Sequence, residues 1–223
     1  MDELRERYDA VLEGVAAAAH EVGRDPSEIT TIVVTKFHPA GLVRELASLG
    51  VHNVGENRHQ EAAAKAAELA DLDLRWHFVG QLQGNKAAAA VEYASVVHSV
   101  DRASLVTALA KTGRHVGVFL QLNLTDDPQR GGVDPDLLES LAERVLEAPS
   151  LELLGLMAVA PLGAQPRAAF AAVRAASSRL QTIAPTATQL SMGMSGDYRE
   201  AIAEGATHLR IGTAITGNRP PQS

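Results

Sequence analysis

The stretch from Thr30 to Gly50, TTIVVTKFHPAGLVRELASLG, decides the fold. Its first six residues, Thr30 to Thr35, are all β-branched, as in a strand packed on both faces, and Lys36 closes the run. Pro39 to Leu49 follows as a helical stretch long enough to carry the chain back to a parallel strand. The same unit recurs outward from there. After a first helix from Asp2 to Val22, strands are predicted at Thr30 to Thr35, His52 to Val54, Leu74 to Val79, Ser95 to Ser99, Val116 to Asn123, Leu151 to Val159, Thr188 to Ser191 and His208 to Ile211. Further helices are predicted at His59 to Leu69, Ala103 to Lys111, Pro135 to Glu147 and Arg167 to Ile183, and the alanine clusters at Ala16 to Ala19 and Ala87 to Ala90 read as close-packed helix faces. Eight strand-then-helix repeats predict an α/β fold, a single closed (β/α)8 TIM-type barrel with an extra N-terminal helix.

The chain has 223 residues, the usual size of one such barrel, and no linker divides it; the one loose stretch is Asn218 to Ser223. Hydrophobic residues make up 46% and charged residues 21%, the balance of a soluble globular protein. A formal net charge of -7 leaves no general attraction to nucleic acid phosphates, so no nucleic acid partner is expected. Zero cysteines exclude disulfides and thiolate metal sites. The opening MDELRERYDA is charged rather than apolar and no run reaches membrane-spanning length, so a cytoplasmic protein without membrane contact is expected.

In a barrel of this kind chemistry sits at the carboxyl ends of the strands. Lys36 stands at the end of the first strand, where partial desolvation would lower its pKa and favour the neutral amine that forms a Schiff base with an aldehyde. Alone, it is more often a solvated residue at a sheet edge. Strand seven runs into Ser191-Met192-Gly193-Met194-Ser195-Gly196-Asp197, ahead of a helix starting near Asp197, and strand eight into Arg210-Ile211-Gly212-Thr213. Glycine backbone and hydroxyls in those two loops suit an anion, in the position where this fold usually holds phosphate. Read blandly, the first loop is a capped helix start and the second a tight turn. Together, opposite Lys36, they point to a phosphorylated aldehyde, and pyridoxal phosphate is the common cofactor of that description. His77 on strand three reads either as an acid or base at the mouth or as a satisfied interior histidine. His20, His52 and His115 show no ligand spacing, and no metal site is expected.

VVTKFHP around Lys36, NVGENRHQE with Gly55-Glu56-Asn57, WHFVGQLQGNK, VHSVDR, QLNLTDDPQRGGV, GLMAVAP, LSMGMSGDYREAI and LRIGTAITG together resemble the YggS and PROSC family, the pyridoxal phosphate homeostasis proteins. The match runs in order through nearly the whole chain, and LSMGMSxD followed by RIGxAIxG is its most specific part. That family in turn resembles the N-terminal barrel of alanine racemase. The resemblance therefore implies residues 1–223 as a single alanine-racemase-N-terminal-like domain that binds pyridoxal 5′-phosphate in the manner of fold type III. It implies Lys36 as the Schiff-base residue, with Ser191, Ser195, Gly212 and Thr213 near the phosphate. Arg210 would face the pyridine nitrogen, where a permanent cation keeps that nitrogen unprotonated and weakens the ring as an electron sink. Asn57, His77 and Met192 complete the expected binding set. Departures fall at Gln81 and Gly84, where relatives often carry His or Pro and Ser, and at Phe37-His38, so they concern the rim; Asn85 and Lys86 lie at a loop-to-helix junction there.

Two functions from different classes follow. The first is a homeostasis protein that buffers, carries or regulates pyridoxal phosphate, with apoenzymes that use it as possible recipients. The second is an amino-acid racemase or related α-proton-abstracting enzyme, using Lys36 and His77. The resemblance separates them. In alanine racemase the second base is a tyrosine from another domain, which this sequence is not expected to carry. Its own tyrosines, Tyr8, Tyr93 and Tyr198, read as packing residues. A non-catalytic protein and a monomer are the expectations. A third reading is a barrel for some other phosphorylated metabolite, with Lys36 not covalently engaged.

Overall fold

The computed structural model describes residues 2–125, 127 and 131–218. Eight parallel strands close into one barrel in sequence order, β1 (Thr30–Val34), β2 (Asn53–Glu56), β3 (Arg75–Phe78), β4 (Ala94–Val100), β5 (Val116–Gln121), β6 (Leu151–Met157), β7 (Gln189–Ser191) and β8 (His208–Ile211). Closure is the pairing of β1 with β8, which sets Ile32 beside Arg210 and Val33 beside Ile211. Helices α1 (Asp2–Glu21), α2 (Ala40–Ser48), α3 (His59–Glu68), α4 (Ala87–Ala90), α5 (Ala103–Ala110), α6 (Leu138–Leu146), α7 (Pro166–Leu180), α8 (Tyr198–Ala203) and α9 (Thr213–Thr216) surround it. The additional N-terminal helix, α1, packs against α8 and α9. Among the described residues no helix is long and apolar enough to cross a membrane.

The main core lies between sheet and helices, where Val33, Val54, Phe78, Val97, Val118, Leu156, Leu190 and Leu209 meet Leu46, Leu105, Leu138 and Phe170. The three tyrosines pack partly buried against this layer. A smaller apolar cluster, Val96, Phe119, Leu154 and Met157, forms apart from it. In most barrels of this class branched aliphatic side chains fill the interior in layers. Here His77, His98 and Arg210 are buried there as well.

The predicted strands coincide with the observed ones to within a few residues, and β8 agrees at both ends. The second strand runs two residues further than expected, through Gly55. Glycine usually weakens a strand, but a Cβ at this position would lie 3.0 Å from Ile32 Cγ2 and 3.3 Å from Val34 Cγ2, so glycine relieves crowding against the β1 side chains. The helix expected from Pro135 starts instead as a single 3-10 turn, Pro135–Leu137, because the Asp134 carboxylate accepts from Asp136 N at 2.9 Å before α6 begins.

Candidate cofactor site at the barrel mouth

Lys36 leaves β1 at its carboxyl end, half-buried, in the turn that leads to α2. The next residue, Phe37, has a φ of 68°, the one positive value at a non-glycine position among the described residues. An aromatic residue in the left-handed region carries backbone strain, and the surroundings hold it there. The Arg58 guanidinium covers its ring at 4.9 Å, and its N–H donates to Glu61 at 3.3 Å. Directly before Lys36, Thr35 is anchored on the outer side of the sheet. Its hydroxyl donates to Glu56 Oε1 at 2.8 Å, and Lys65 Nζ on α3 donates to both Thr35 O (2.9 Å) and Glu56 Oε1 (2.6 Å). This buried ion pair fixes the end of β1 to β2 and α3, and with them the start of Lys36.

Inside the barrel a chain of polar side chains runs from β2 to β8. Asn53 Oδ1 lies 3.0 Å from His77 Nε2, His77 Nδ1 lies 2.9 Å from His98 Nε2, and His98 Nδ1 lies 2.8 Å from Ser191 Oγ. Arg210 completes it, donating from Nη1 to Ser191 Oγ (2.7 Å) and Ser191 O (2.6 Å) and from Nη2 to Ala158 O (2.9 Å). His98 stacks on Phe119 with ring centroids 4.5 Å apart, and His208 stands beside both. Burial pushes the His77 imidazole down to about 3 and that of His208 to about 4, with neighbouring cationic groups adding to each, and it holds His98 well below the usual histidine range. All three rings are therefore neutral near pH 7.

The Arg210 guanidinium is 5% exposed, and burial lowers its pKa to about 10, which still leaves it charged at neutral pH. Among the described residues no carboxylate forms an ion pair with it. Interior charges are normally compensated. A buried cation whose hydrogen bonds go to a hydroxyl and two carbonyls, with the Asp197 charge acting on it without a direct ion pair, suits a site completed by an anionic or electron-rich ligand.

The loops after β7 and β8 meet each other. Ser195 Oγ accepts from Ala214 N in the first turn of α9 at 3.4 Å, and Asp197 Oδ1 accepts from Met194 N at 2.6 Å, closing the turn before α8. Gly193 has a φ of 93°, and a Cβ there would lie 2.6 Å from that of Ala201, so no other residue fits the turn. At Gly212 a Cβ would find only ordinary contact, 3.7 Å from Val34, so packing within the protein does not demand glycine there. Gly212 and Thr213 remain accessible beside Ser195.

The residues expected from sequence divide into two groups. Lys36, Ser195, Gly212 and Thr213 lie at the carboxyl ends of β1, β7 and β8. Ser191 and His77 lie deeper, with no measurable exposure and 2% exposure, and their polar atoms are engaged in the interior chain. Both His77 ring nitrogens are occupied, so the satisfied-histidine reading holds and not that of an acid or base at the mouth. Met192 projects into the core between sheet and helices. Asn57, past β2, lines an outer cleft of about 440 Å³ with Arg58, His59, Gln81 and Lys86, and its Oδ1 is shielded from solvent without a hydrogen-bond partner. Asn85 and Lys86 are exposed. Sequence reading missed His98 and Asn53. The signal was there, since a histidine inside the apolar run of β4 is a polar residue in a strand with no polar face. In the QLNLTDDPQRGGV motif, Asp126 and Pro128 to Arg130 lie outside the described residues, as does the tail from residue 219.

A closed parallel barrel with a lysine at the end of β1, small and hydroxylic residues in the loops after β7 and β8, and a buried arginine on β8 defines a class of phosphate-cofactor barrels. Residues 13–220 match the family model "Alanine racemase, N-terminal domain". The pyridoxal phosphate homeostasis protein of Pseudomonas aeruginosa is 41% identical over 98% of this chain and 97% of its own. The solved structure of PipY from Synechococcus elongatus PCC7942 with PLP bound is 38% identical, with a TM-score of 0.84 over 96% of this chain and all of that one. Alanine racemase from Corynebacterium glutamicum, 17% identical, shares the fold with a TM-score of 0.70 over 95% of this chain and 61% of its own. The chain belongs to the alanine racemase N-terminal domain family and, within it, to the pyridoxal phosphate homeostasis proteins.

Proposed function

We propose that this protein binds pyridoxal 5′-phosphate at the barrel mouth, covalently through Lys36, and serves its intracellular homeostasis as a carrier, buffer or regulator rather than as an enzyme. The observation that carries the reading is the buried Arg210 cation, without a directly paired carboxylate among the described residues, beneath a mouth framed by Lys36 and the Ser195 and Gly212-Thr213 loops. The bound PLP of PipY supports it. When bound, the cofactor brings an aldehyde that combines with amines and a ring that can act as an electron sink. Lys36 supplies the amine. Ser195, Gly212 and Thr213 take the phosphate by hydroxyl and backbone N–H groups. Arg210 would face the ring nitrogen and, by staying protonated, would deny that nitrogen a proton, which suits holding the cofactor over carbanion chemistry. Ser191 and His77 act on Arg210 from below, Met192 by packing behind the β7 loop, and Asn57 at the rim.

The donor set fits the group at each end, an amine for the aldehyde and neutral donors plus one cation for the anionic parts. His77, with both nitrogens bonded, is not available as the second base of a racemase. We further propose a single-domain cytoplasmic monomer, with cofactor-requiring apoenzymes as recipients.

Absorption spectra of the protein and of Lys36→Ala, with pyridoxal phosphate added, test the reading. The parent is expected to show a visible band that borohydride removes, with the label mapping to the peptide of Lys36; Lys36→Ala is expected to show no band. A parent without a band at saturating cofactor would overturn it and leave the loops to another phosphorylated ligand.

A further inference from the structure

Resting on that reading of the mouth, we infer that His98 and His77 are positioning residues for the cofactor. They form an oriented hydrogen-bond chain that fixes the Ser191 hydroxyl as an acceptor for Arg210. The orientation follows from counting protons. Arginine can only donate, so Ser191 Oγ accepts from Arg210 Nη1 at 2.7 Å. The one hydroxyl proton then has His98 Nδ1, at 2.8 Å, as its acceptor. A neutral His98 that accepts at Nδ1 carries its proton on Nε2 and donates to His77 Nδ1 at 2.9 Å. His77 in turn carries its proton on Nε2 and donates to the Asn53 carbonyl oxygen at 3.0 Å. Every proton has an acceptor in this direction. In the opposite direction His98 would donate to Ser191, whose own proton would have no acceptor among the described residues.

The arrangement costs stability, because two imidazoles and a guanidinium stand where a barrel interior usually holds aliphatic side chains. A fully satisfied buried network gives direction and rigidity in return. What it holds in place is the guanidinium plane, with Nη1 bound to Ser191 on β7 and Nη2 to Ala158 just past the end of β6. His98 thus reaches the cofactor through two intermediates without touching it.

Nitrogen-15 NMR on histidine-labelled protein without cofactor reads the chain directly. His98 and His77 are expected as neutral rings with the proton on Nε2. A proton on Nδ1 of His98 would overturn the orientation, whatever the cofactor does. The coupling is read with His98→Phe, which keeps the ring stacked on Phe119. It is expected to bind pyridoxal phosphate about tenfold more weakly, the size of one hydrogen bond to a charged group, and with a shifted absorption maximum. His208→Phe, a neighbouring ring outside the chain, is expected to keep parental affinity and spectrum. If His98→Phe fails to fold, Ser191→Ala removes the next link and is expected to show the same losses. Parental binding and spectrum in either variant would sink the proposal, while absence of binding in the parent would instead defeat the cofactor reading and leave the NMR test standing.

Discussion

Gly193 shows how single positions set the mouth. Its left-handed backbone and the 2.6 Å that would separate an added Cβ from Ala201 both forbid a side chain. Gly193→Ala is expected to lose about 3 kcal/mol by urea unfolding, combining left-handed strain with overpacking. A loss under about 0.5 kcal/mol would mean the loop adopts a different path. At this scale sequence reading worked where a residue type has few uses. It placed Lys36 at the end of β1 and Gly193 in the turn after β7, where both stand. It did not show that Phe37 takes a positive φ, because nothing in an aromatic residue favours that conformation and contacts such as those with Arg58 and Glu61 come only with the fold.

Elements are tied together by the Glu56–Lys65 pair, which joins β1, β2 and α3 beneath the Lys36 turn. Glu56 has no measurable exposure; burial raises its carboxyl pKa while Lys65 and Thr35 oppose that shift. Removing one partner of such a pair leaves a buried charge alone. Lys65→Met is therefore expected to cost about 3–5 kcal/mol in chemical denaturation, and the double variant Glu56→Gln/Lys65→Met to recover most of it. Simple additivity in the double variant would refute the coupling. The eight strands and most helices were legible because alternating β-branched and helix-forming runs follow directly from packing on both faces of a parallel sheet. The pair was not, since a lysine in HQEAAAKAAE reads as a solvated helix face until α3 is docked on β2.

At the scale of the whole molecule, His77, His98 and His208 gather within the closed barrel, while His20, His52 and His115 stay exposed. For His77, His98 and His208 the folded pKa lies below the ordinary value of 6.5, so below that pH the unfolded chain takes up protons that the folded chain refuses. Stability is thus full above about pH 6.5 and declines as the pH falls toward the folded values. A drop of about 3 kcal/mol between pH 7.5 and 5.5 is expected from denaturation curves, with about a third of it removed in His98→Phe. A stability that stays flat over this range would show the rings to be solvated. That polar interior was hidden from sequence because histidines on separate strands become neighbours only when the sheet closes. Closure has one more consequence, in the order of synthesis. The seam joins Thr30 to His208, so on the ribosome β1 emerges long before the strand that it must pair with, and the barrel closes only once β8 has been made.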